Sequence, residues 1–524
     1  MKLRRRQLVL LVILSLIFAL GTGALVHHTR AKHALLDYQK QLIANGEKLT
    51  VDEMTPKPVP PEQNGANLFF RSFNLMSPQR GILDTNPPGG MTMVAPGKAR
   101  LGWAQPNIRA KSATNTWEEA STALNSSADL LQLEELIQRP NLDFNLNYRT
   151  GFTLLLPHLV QTKRAAQYLC YAAICDLHRG EVESAVRRLR AVLALSNGTA
   201  DERLVISQLV RIAVTAIGTA GTWELLQSPN VTDAQLAQIQ SDWSRLEFTL
   251  AAENAIAMER AMSLMTVEQM RDSSAEFRKI TSGFAWPSAA PAATGGDWFD
   301  QVQNLAEGTW TTTRLKAKET AWRFSWAYTD QLRALKGLQV LIESTRHARS
   351  NGNFYATYQA TQAKIHALGF QDIKDEVLPY FGGDVNLRTM FSETILSVTP
   401  FFKKVMIAEA NRQLVVTAIA LQRYKLATGN YPPDLTALVP RFLPALPSDP
   451  GDGQPLRYKP IADGTFLLYS VGEDGEDNSG DANPAKPEGK SLYWQHCRDW
   501  VWPQPALPQE IENFYQQELK RLGN

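Results

Sequence analysis

Three carboxylates close together near the C-terminal end, Asp474, Asp477 and Asp481, stand in an acidic, glycine-containing stretch of the chain. Hard cations take several oxygen ligands, and closely spaced carboxylates with backbone carbonyls supply them, so this turn is the candidate metal-binding element. The spacing is not that of an EF-hand, which needs alternating ligands and a distant bidentate Glu. A solvated acidic turn is the competing reading. Elsewhere the residues of familiar catalytic chemistry fall into no pattern: H-E-x-x-H, G-x-S-x-G, the phosphate-binding G-x-x-x-x-G-K-[ST] and paired C-x-x-C are all missing. His158, His178, His347, His366 and His496 are scattered, and each reads as a surface or packed side chain. Glu253 and Glu259 lie in an apolar helical stretch, Ala251 to Met265, where an inward carboxylate needs a partner such as Arg260 or Arg271. No catalytic or cofactor-binding residue is assigned on this basis, and the balance falls against an enzyme.

These groups sit far from the end that decides where the molecule works. Lys2, Arg4, Arg5 and Arg6 precede an uncharged apolar run from Leu8 to Val26, long enough to cross a bilayer as one helix. The basic cluster predicts a cytoplasmic N-terminus, with the bulk of the chain on the far side. A cleaved signal peptide is the alternative, because Gly21, Gly23 and Ala24 supply small residues for processing; the length of the apolar run favours a retained anchor. No Cys directly follows that run, which excludes a lipoprotein anchor.

The remainder is ordinary globular material, with 44% hydrophobic and 20% charged residues and a net charge of +2, a balance that argues against nucleic acid as a partner. The 3 Cys make no disulfide framework; Cys170 and Cys175 fall on different faces of a predicted helix and read as small core residues, as does Cys497. Five units follow. Residues 1–30 are the cytoplasmic tip and anchor; residues 31–114 hold a continuing helix, a connector stiffened by Pro56, Pro58, Pro60 and Pro61, and an irregular loop from Ser77 to Ala113. Residues 115–400 form a helical body, residues 401–485 an α+β module, and residues 486–524 a Trp- and Pro-rich tail ending in an amphipathic helix from Pro508 to Leu522.

In the body, Val182, Ala185, Val186, Leu189, Val192 and Leu193 make one apolar stripe, with Arg187, Arg188 and Arg190 expected opposite it. Gly180 ends the preceding helix, Gln167 to Leu177, and Glu181 starts the next, so the pair predicts a helical hairpin. Further helices are expected over Glu202 to Leu226 and, after a Thr232/Asp233 cap, over Ala234 to Arg271. A loop is expected between Gly283 and Gly296, then helix again from Trp298, and a long helix from about Thr389 to Leu426 interrupted or kinked at Pro400.

Two resemblances attach to these residues. The run Tyr431-Pro432-Pro433-Asp434-Leu435, then Leu446-Pro447-Ser448-Asp449-Pro450, then Leu468-Tyr469-Ser470-Val471-Gly472-Glu473-Asp474-Gly475 resembles the globular head of the major pseudopilin of type II secretion. That likeness covers Val405 to Asp481 and implies a long helix ending at Gly429, a short helix at Leu435 to Leu438, and paired strands at Arg457-Tyr458 and Phe466 to Ser470. It also implies calcium at the acidic turn, with Asp474, Asp477 and Asp481 as ligands. The likeness departs from that family where about four hundred residues, rather than a prepilin leader, precede the head. Separately, His178-Arg179-Gly180 with Ala185 and Leu189 resembles a tetratricopeptide repeat, and the whole chain resembles bacterial membrane-anchored envelope proteins with a helical body and no assigned activity.

The expectation is therefore a mainly α protein of stacked helical hairpins, carrying one transmembrane helix and a small α+β pseudopilin-like module. It would sit in the bacterial inner membrane with its bulk in the periplasm, and act as a protein-interaction or scaffold protein for envelope partners. Two alternatives stand beside this: a component or accessory of a secretion or pilus-like system, and an envelope hydrolase with its site in a helical cleft.

Overall fold

Helical periodicity and capping account for most of what the chain does. The computed structural model describes residues 5–76, 91–109, 114–125, 129–139, 141–283, 316, 319–370, 391–392, 398–485 and 496–522. They form a mainly helical protein with a few small sheets and an apolar N-terminal helix. In chain order the helices are α1 (Arg5–Ala44), α2 (Val51–Met54), α3 (Ala66–Met76), α4 (Trp117–Asn125), α5 (Asp129–Glu134), α6 (Pro157–Arg179), α7 (Val182–Gly198) and α8 (Val205–Leu226). They continue with α9 (Asp233–Ser244), α10 (Thr249–Asp272), α11 (Ser274–Gly283), α12 (Ala327–Asn351), α13 (Phe354–Ala367), α14 (Thr399–Thr428) and α15 (Pro508–Leu522). The expected loop between Gly283 and Gly296 and the helix restarting at Trp298 fall almost wholly outside the described residues.

Helices α6 and α7 form the expected hairpin. Gly180 closes α6 in the left-handed region at φ 78°, and the Glu181 N–H donates back to the Asp176 carbonyl at 2.8 Å, the bond pattern that a helix ending on glycine uses. Asp176, with no exposed surface, is bound by Arg188 of α7 at 2.6 Å, so the turn is locked by an ion pair inside the hairpin. Helix α8 packs into the angle between them, and α14 lies across α8. Helix α14 buries residues around most of its circumference, from Phe401 to Leu421, as a helix must when partners cover it on several sides. Helix α10 pairs with α12, and α1 lies along α12, where Leu35, Leu42 and Leu49 meet Leu264 and Leu335.

Three of the boundaries that differ from expectation have identifiable causes. The helix expected over Ala234 to Arg271 is two helices, broken at 245–248. Arg211, 1% exposed on α8, donates to the Glu247 carbonyl at 2.8 Å and lies over the Phe248 ring, while the Phe248 N–H donates to Glu409 of α14 at 2.9 Å. Those tertiary partners take backbone groups that a continuous helix would use. Helix α14 starts at Thr399 with Pro400 in its first turn, so this proline opens the helix rather than kinking it. Helix α8 starts at Val205, after Glu202 has turned its side chain to other work.

Strands are short. β1 (Met93–Ala95), β2 (Lys98–Ala99), β3 (Ile108–Arg109) and β4 (Thr114–Asn115) occupy described parts of the stretch read as an irregular loop and its end. Glu224 at the end of α8 fastens that stretch by accepting the Gly102 N–H at 2.7 Å, and burial pushes this carboxyl up to about 7. β5 (Arg457–Pro460) and β6 (Phe466–Ser470) make an antiparallel hairpin with Pro460 opposite Phe466, turning through Asp463 and Gly464. β7 (Trp500–Val501) adds antiparallel to β6, and β8 (Gln504–Pro505) runs parallel to β2. The tail thus completes one sheet and extends another, and Trp223 of α8 donates its indole N–H to the Pro503 carbonyl at 2.8 Å.

Candidate functional site

The motif residues near the C-terminus converge on one buried anion. Asp449 has no exposed surface; its Oδ1 accepts the Gly451 N–H at 2.8 Å and the Ser470 hydroxyl at 2.6 Å. Its Oδ2 accepts the Val471 N–H at 2.9 Å and Arg457 Nη1 at 3.1 Å. The stretch around Pro447 to Pro450 and the stretch Tyr469 to Gly472, distant in sequence, are therefore tied by one carboxylate. Gly472 follows with φ 74°, and a Cβ placed there would stand 2.8 Å from the Arg498 carbonyl oxygen. Both the backbone conformation and the space require glycine. G472A is expected to lower stability by about 1–2 kcal/mol from backbone conformation alone, with the clash adding to it, as read from a urea unfolding midpoint.

The three aspartates of the acidic turn are not brought together. Asp474 accepts the Glu476 N–H at 3.1 Å. Asp477 accepts the Tyr469 hydroxyl at 2.9 Å and the Ser479 N–H at 2.9 Å, and pairs with Arg457 at 3.4 Å. Asp481 accepts Asn483 Nδ2 at 2.7 Å and pairs with Arg498 at 3.2 Å. Among the described residues no group of three His, Cys, Asp or Glu side chains is placed to hold a metal ion. The anion at the centre of this loop is instead Asp499, buried completely, which accepts the N–H groups of Asn478 at 3.3 Å, Gly480 at 2.7 Å and Asp481 at 3.2 Å. In this arrangement Asp477 and Asp481 already accept guanidinium, hydroxyl or amide donors, whereas Asp474 accepts one backbone N–H. Melting midpoints measured in calcium and in chelator are expected to coincide; a rise in calcium would show that the turn rearranges around the ion.

A second polar cluster lies at the junction of α1 with the body. The Glu47 side chain, 7% exposed, pairs with Arg260 at 3.0 Å and with Arg346, and accepts Gln339 Nε2 at 3.1 Å. Burial works against the Glu47 charge, but hydrogen bonds from Arg346, Gln339 and Arg260 outweigh it and hold the carboxyl at about 2. Arg346 also pairs with Glu253 at 2.7 Å, and Arg349 joins at 2.9 Å. Glu253 therefore does find a cation, but from α12, not from Arg260 or Arg271 on its own helix. Arg260 is turned to Glu47, and Arg271 donates to Gln331 at 2.8 Å and lies over the Tyr328 ring. Burial pushes Glu259 up to about 7, opposed by the Val205 N–H.

The third cluster has residue types of catalytic machinery in another order. His158, 2% exposed, stacks on Phe144 at 4.1 Å and reaches Glu202 through Nε2 at 2.9 Å. Ser207 donates its hydroxyl to the same carboxylate. The carboxylate, rather than the imidazole, takes the serine proton donor, so the serine–histidine contact of a Ser-His-Asp triad is not made in this cluster. All three side chains are buried, which makes this a packed polar knot.

Comparison with protein families, curated proteins and solved structures finds no match for the chain. Its chemistry is accordingly read from its own geometry. A cleft of about 430 Å³ opens between the 148–153 turn and α10 and α11, lined by Arg149, Phe152, Thr266, Gln269, Glu276 and Lys279. Arg149 is bound bidentately by Asp52 at 2.8 Å, and Lys279 pairs with Glu276 at 3.2 Å. Its charged lining is thus spoken for within the protein.

Sequence reasoning named Asp449 only as one letter of a motif and missed Asp499, Arg457, Glu47 and Arg346. The D-P and S-V-G residues of that motif could have suggested that Asp449 receives backbone donors. Nothing local distinguishes Glu47 or Asp499, whose partners are 213 to 299 residues away in the first case and 18 to 21 in the second.

Proposed function

We propose that this protein is a single-pass inner-membrane protein of the bacterial envelope whose periplasmic helical body serves as an interaction scaffold for other envelope proteins. The observation that carries this reading is the 40-residue α1, whose N-terminal apolar part is unburied and whose far end is clamped to the body. Among the described residues two helices are long and apolar enough to cross a membrane, Val12–Ala44 with none of its apolar window buried and Val205–Leu226 with 67% of it buried. The second is the core helix α8, and the first is the anchor. A rod of 40 residues is about 60 Å long, twice the hydrocarbon thickness of a bilayer, so it spans and still reaches the body.

The C-terminal module is read as a pseudopilin-like recognition or stabilising element. The sequence of elements supports this: α14 ending at Gly429, a short 3-10 turn at Leu435–Leu438, the β5–β6 hairpin, and the Asp449 knot that joins them. A place beside a type II secretion or pilus-like machine is the second reading, favoured by the same elements. Copurification of the full chain from gently solubilised membranes separates the two. Secretion-machine subunits among reproducible partners favour the second; other envelope proteins in their place favour the scaffold. Recovery of the chain without membranes after cell lysis would remove both.

A further inference from the structure

The alignment of α1 against α12 fixes which part of the body stands at the membrane surface. His27 Nδ1 lies 3.2 Å from the Ser325 carbonyl, 298 residues away, and Glu47 meets Arg346, 299 residues away. Between these points His28 packs edge-on to Tyr328 and Lys336 lies over the Tyr38 ring. A nearly constant offset means that the two helices run parallel, rising together. Applied one residue below Ser325, this offset sets Phe324 level with Val26, the last residue of the apolar run.

Phe324 belongs to a π-turn, Trp322–Trp326, that precedes α12. Such turns interrupt a regular helix and redirect its side chains. Trp322 points inward, with no exposed surface, and donates its indole N–H to Asp330 at 2.9 Å. Arg323 is held inward as well, donating to the Arg271 carbonyl at 2.8 Å and pairing with Glu319 at 3.4 Å. Phe324 is left 64% exposed, with the half-buried Trp326 and Tyr328 beside the same stretch. On α1, exposed Arg30 and Lys32 lie about 6 and 9 Å beyond Val26 along the axis, the depth of the headgroup layer.

We propose that this π-turn is a second membrane contact, with Phe324 inserted at the boundary between acyl chains and headgroups beside the exit of α1, and with Arg30 and Lys32 meeting lipid phosphates. The occupant of this surface is the bilayer itself. Aromatic side chains favour that boundary, and cations one or two turns above it match the phosphate layer. The consequence is orientation: one spanning helix alone leaves a body free to swivel, whereas a second contact beside it fixes which face the body presents. The inference rests on the membrane-anchored reading above.

The test uses the full chain in lipid nanodiscs with single cysteines carrying an environment-sensitive fluorophore. The native cysteines are all buried, so labelling is directed to the introduced ones. Variants are L16C in the apolar run, F324C, T329C, and H347C, which is exposed about 35 Å further along the same helix direction from Phe324. Quenching by aqueous iodide is expected to be several-fold weaker at F324C than at H347C, with T329C between them. Lipids brominated on their acyl chains are expected to quench L16C and F324C and to leave H347C bright. Strong iodide quenching at both F324C and T329C, with L16C still reached by brominated lipid, overturns the second contact and leaves the anchor standing. Iodide access at L16C as well overturns the anchored reading, and this inference with it. Thermal melts matching the unsubstituted protein establish that each labelled variant is folded.

Discussion

Replacing Asp449 by alanine is expected to cost about 3–5 kcal/mol, because it removes one buried carboxylate on which four donors depend. The Gly451 and Val471 N–H groups and the Ser470 hydroxyl would be left in a site with no exposed surface at Asp449 or Ser470. Each buried donor without an acceptor costs about 1–3 kcal/mol, and Arg457 would lose one of its carboxylate partners in the same step. A urea titration followed by tryptophan fluorescence reads the effect, and Trp500 next to this region makes it a local reporter. A loss below about 1 kcal/mol would remove Asp449 from the centre of the module. The pH dependence has a definite sign. Burial raises the Asp449 pKa above its ordinary 3.8, outweighing the donors, so the folded state holds this proton more tightly than the unfolded chain does. Its contribution is complete below 3.8 and declines as pH rises through the raised folded value, so Asp449 is not a source of acid denaturation.

The module also shows where sequence reading works. Helix α14 closing at Gly429, the short turn at Leu435–Leu438 and the β5–β6 hairpin around Asp463-Gly464 stand where the resemblance implied them, and α15 over Pro508–Leu522 stands where periodicity put it. So does the α6–α7 hairpin. Each of these is decided within a dozen residues, by caps and by alternation of apolar positions. The break between α9 and α10 was not legible, because it depends on Arg211 and Glu409, which approach from α8 and α14. The same holds for β7 and β8, whose 2 residues each carry no strand signal until β6 and β2 lie beside them. The acidic turn divides the same way. Its carboxylates were visible, but the partners that Asp477 and Asp481 find in Arg457 and Arg498, and the hold of Asp499 on the loop backbone, were not.

The attachment of α1 to the body gives the second large effect. Glu47 sits where α1 ends, and E47A would leave Arg260, 1% exposed, without its carboxylate inside the protein. Removing one partner of a buried ion pair costs about 3–5 kcal/mol, against at most about 1 kcal/mol for an exposed pair such as Lys40 with Asp37 on the same helix. The comparison D37A therefore isolates the clamp from general effects on α1. Glu47 is held at about 2, below its ordinary 4.5, because the Arg346, Gln339 and Arg260 hydrogen bonds overcome burial. A lowered carboxyl contributes stability that is complete above 4.5 and is lost as pH falls through about 2. The stability difference between the unsubstituted protein and E47A should accordingly be largest above pH 4.5 and shrink below it, measured by denaturant unfolding in nanodiscs at stepped pH. A difference that stays constant down to pH 2 would mean that the Glu47 charge is not what clamps the helix. On the proposed anchored reading, E47A would keep its span in the bilayer while the body loses its fixed attachment. The label at H347C would then report greater rotational freedom, linking one buried carboxylate to how rigidly the body is held relative to the membrane.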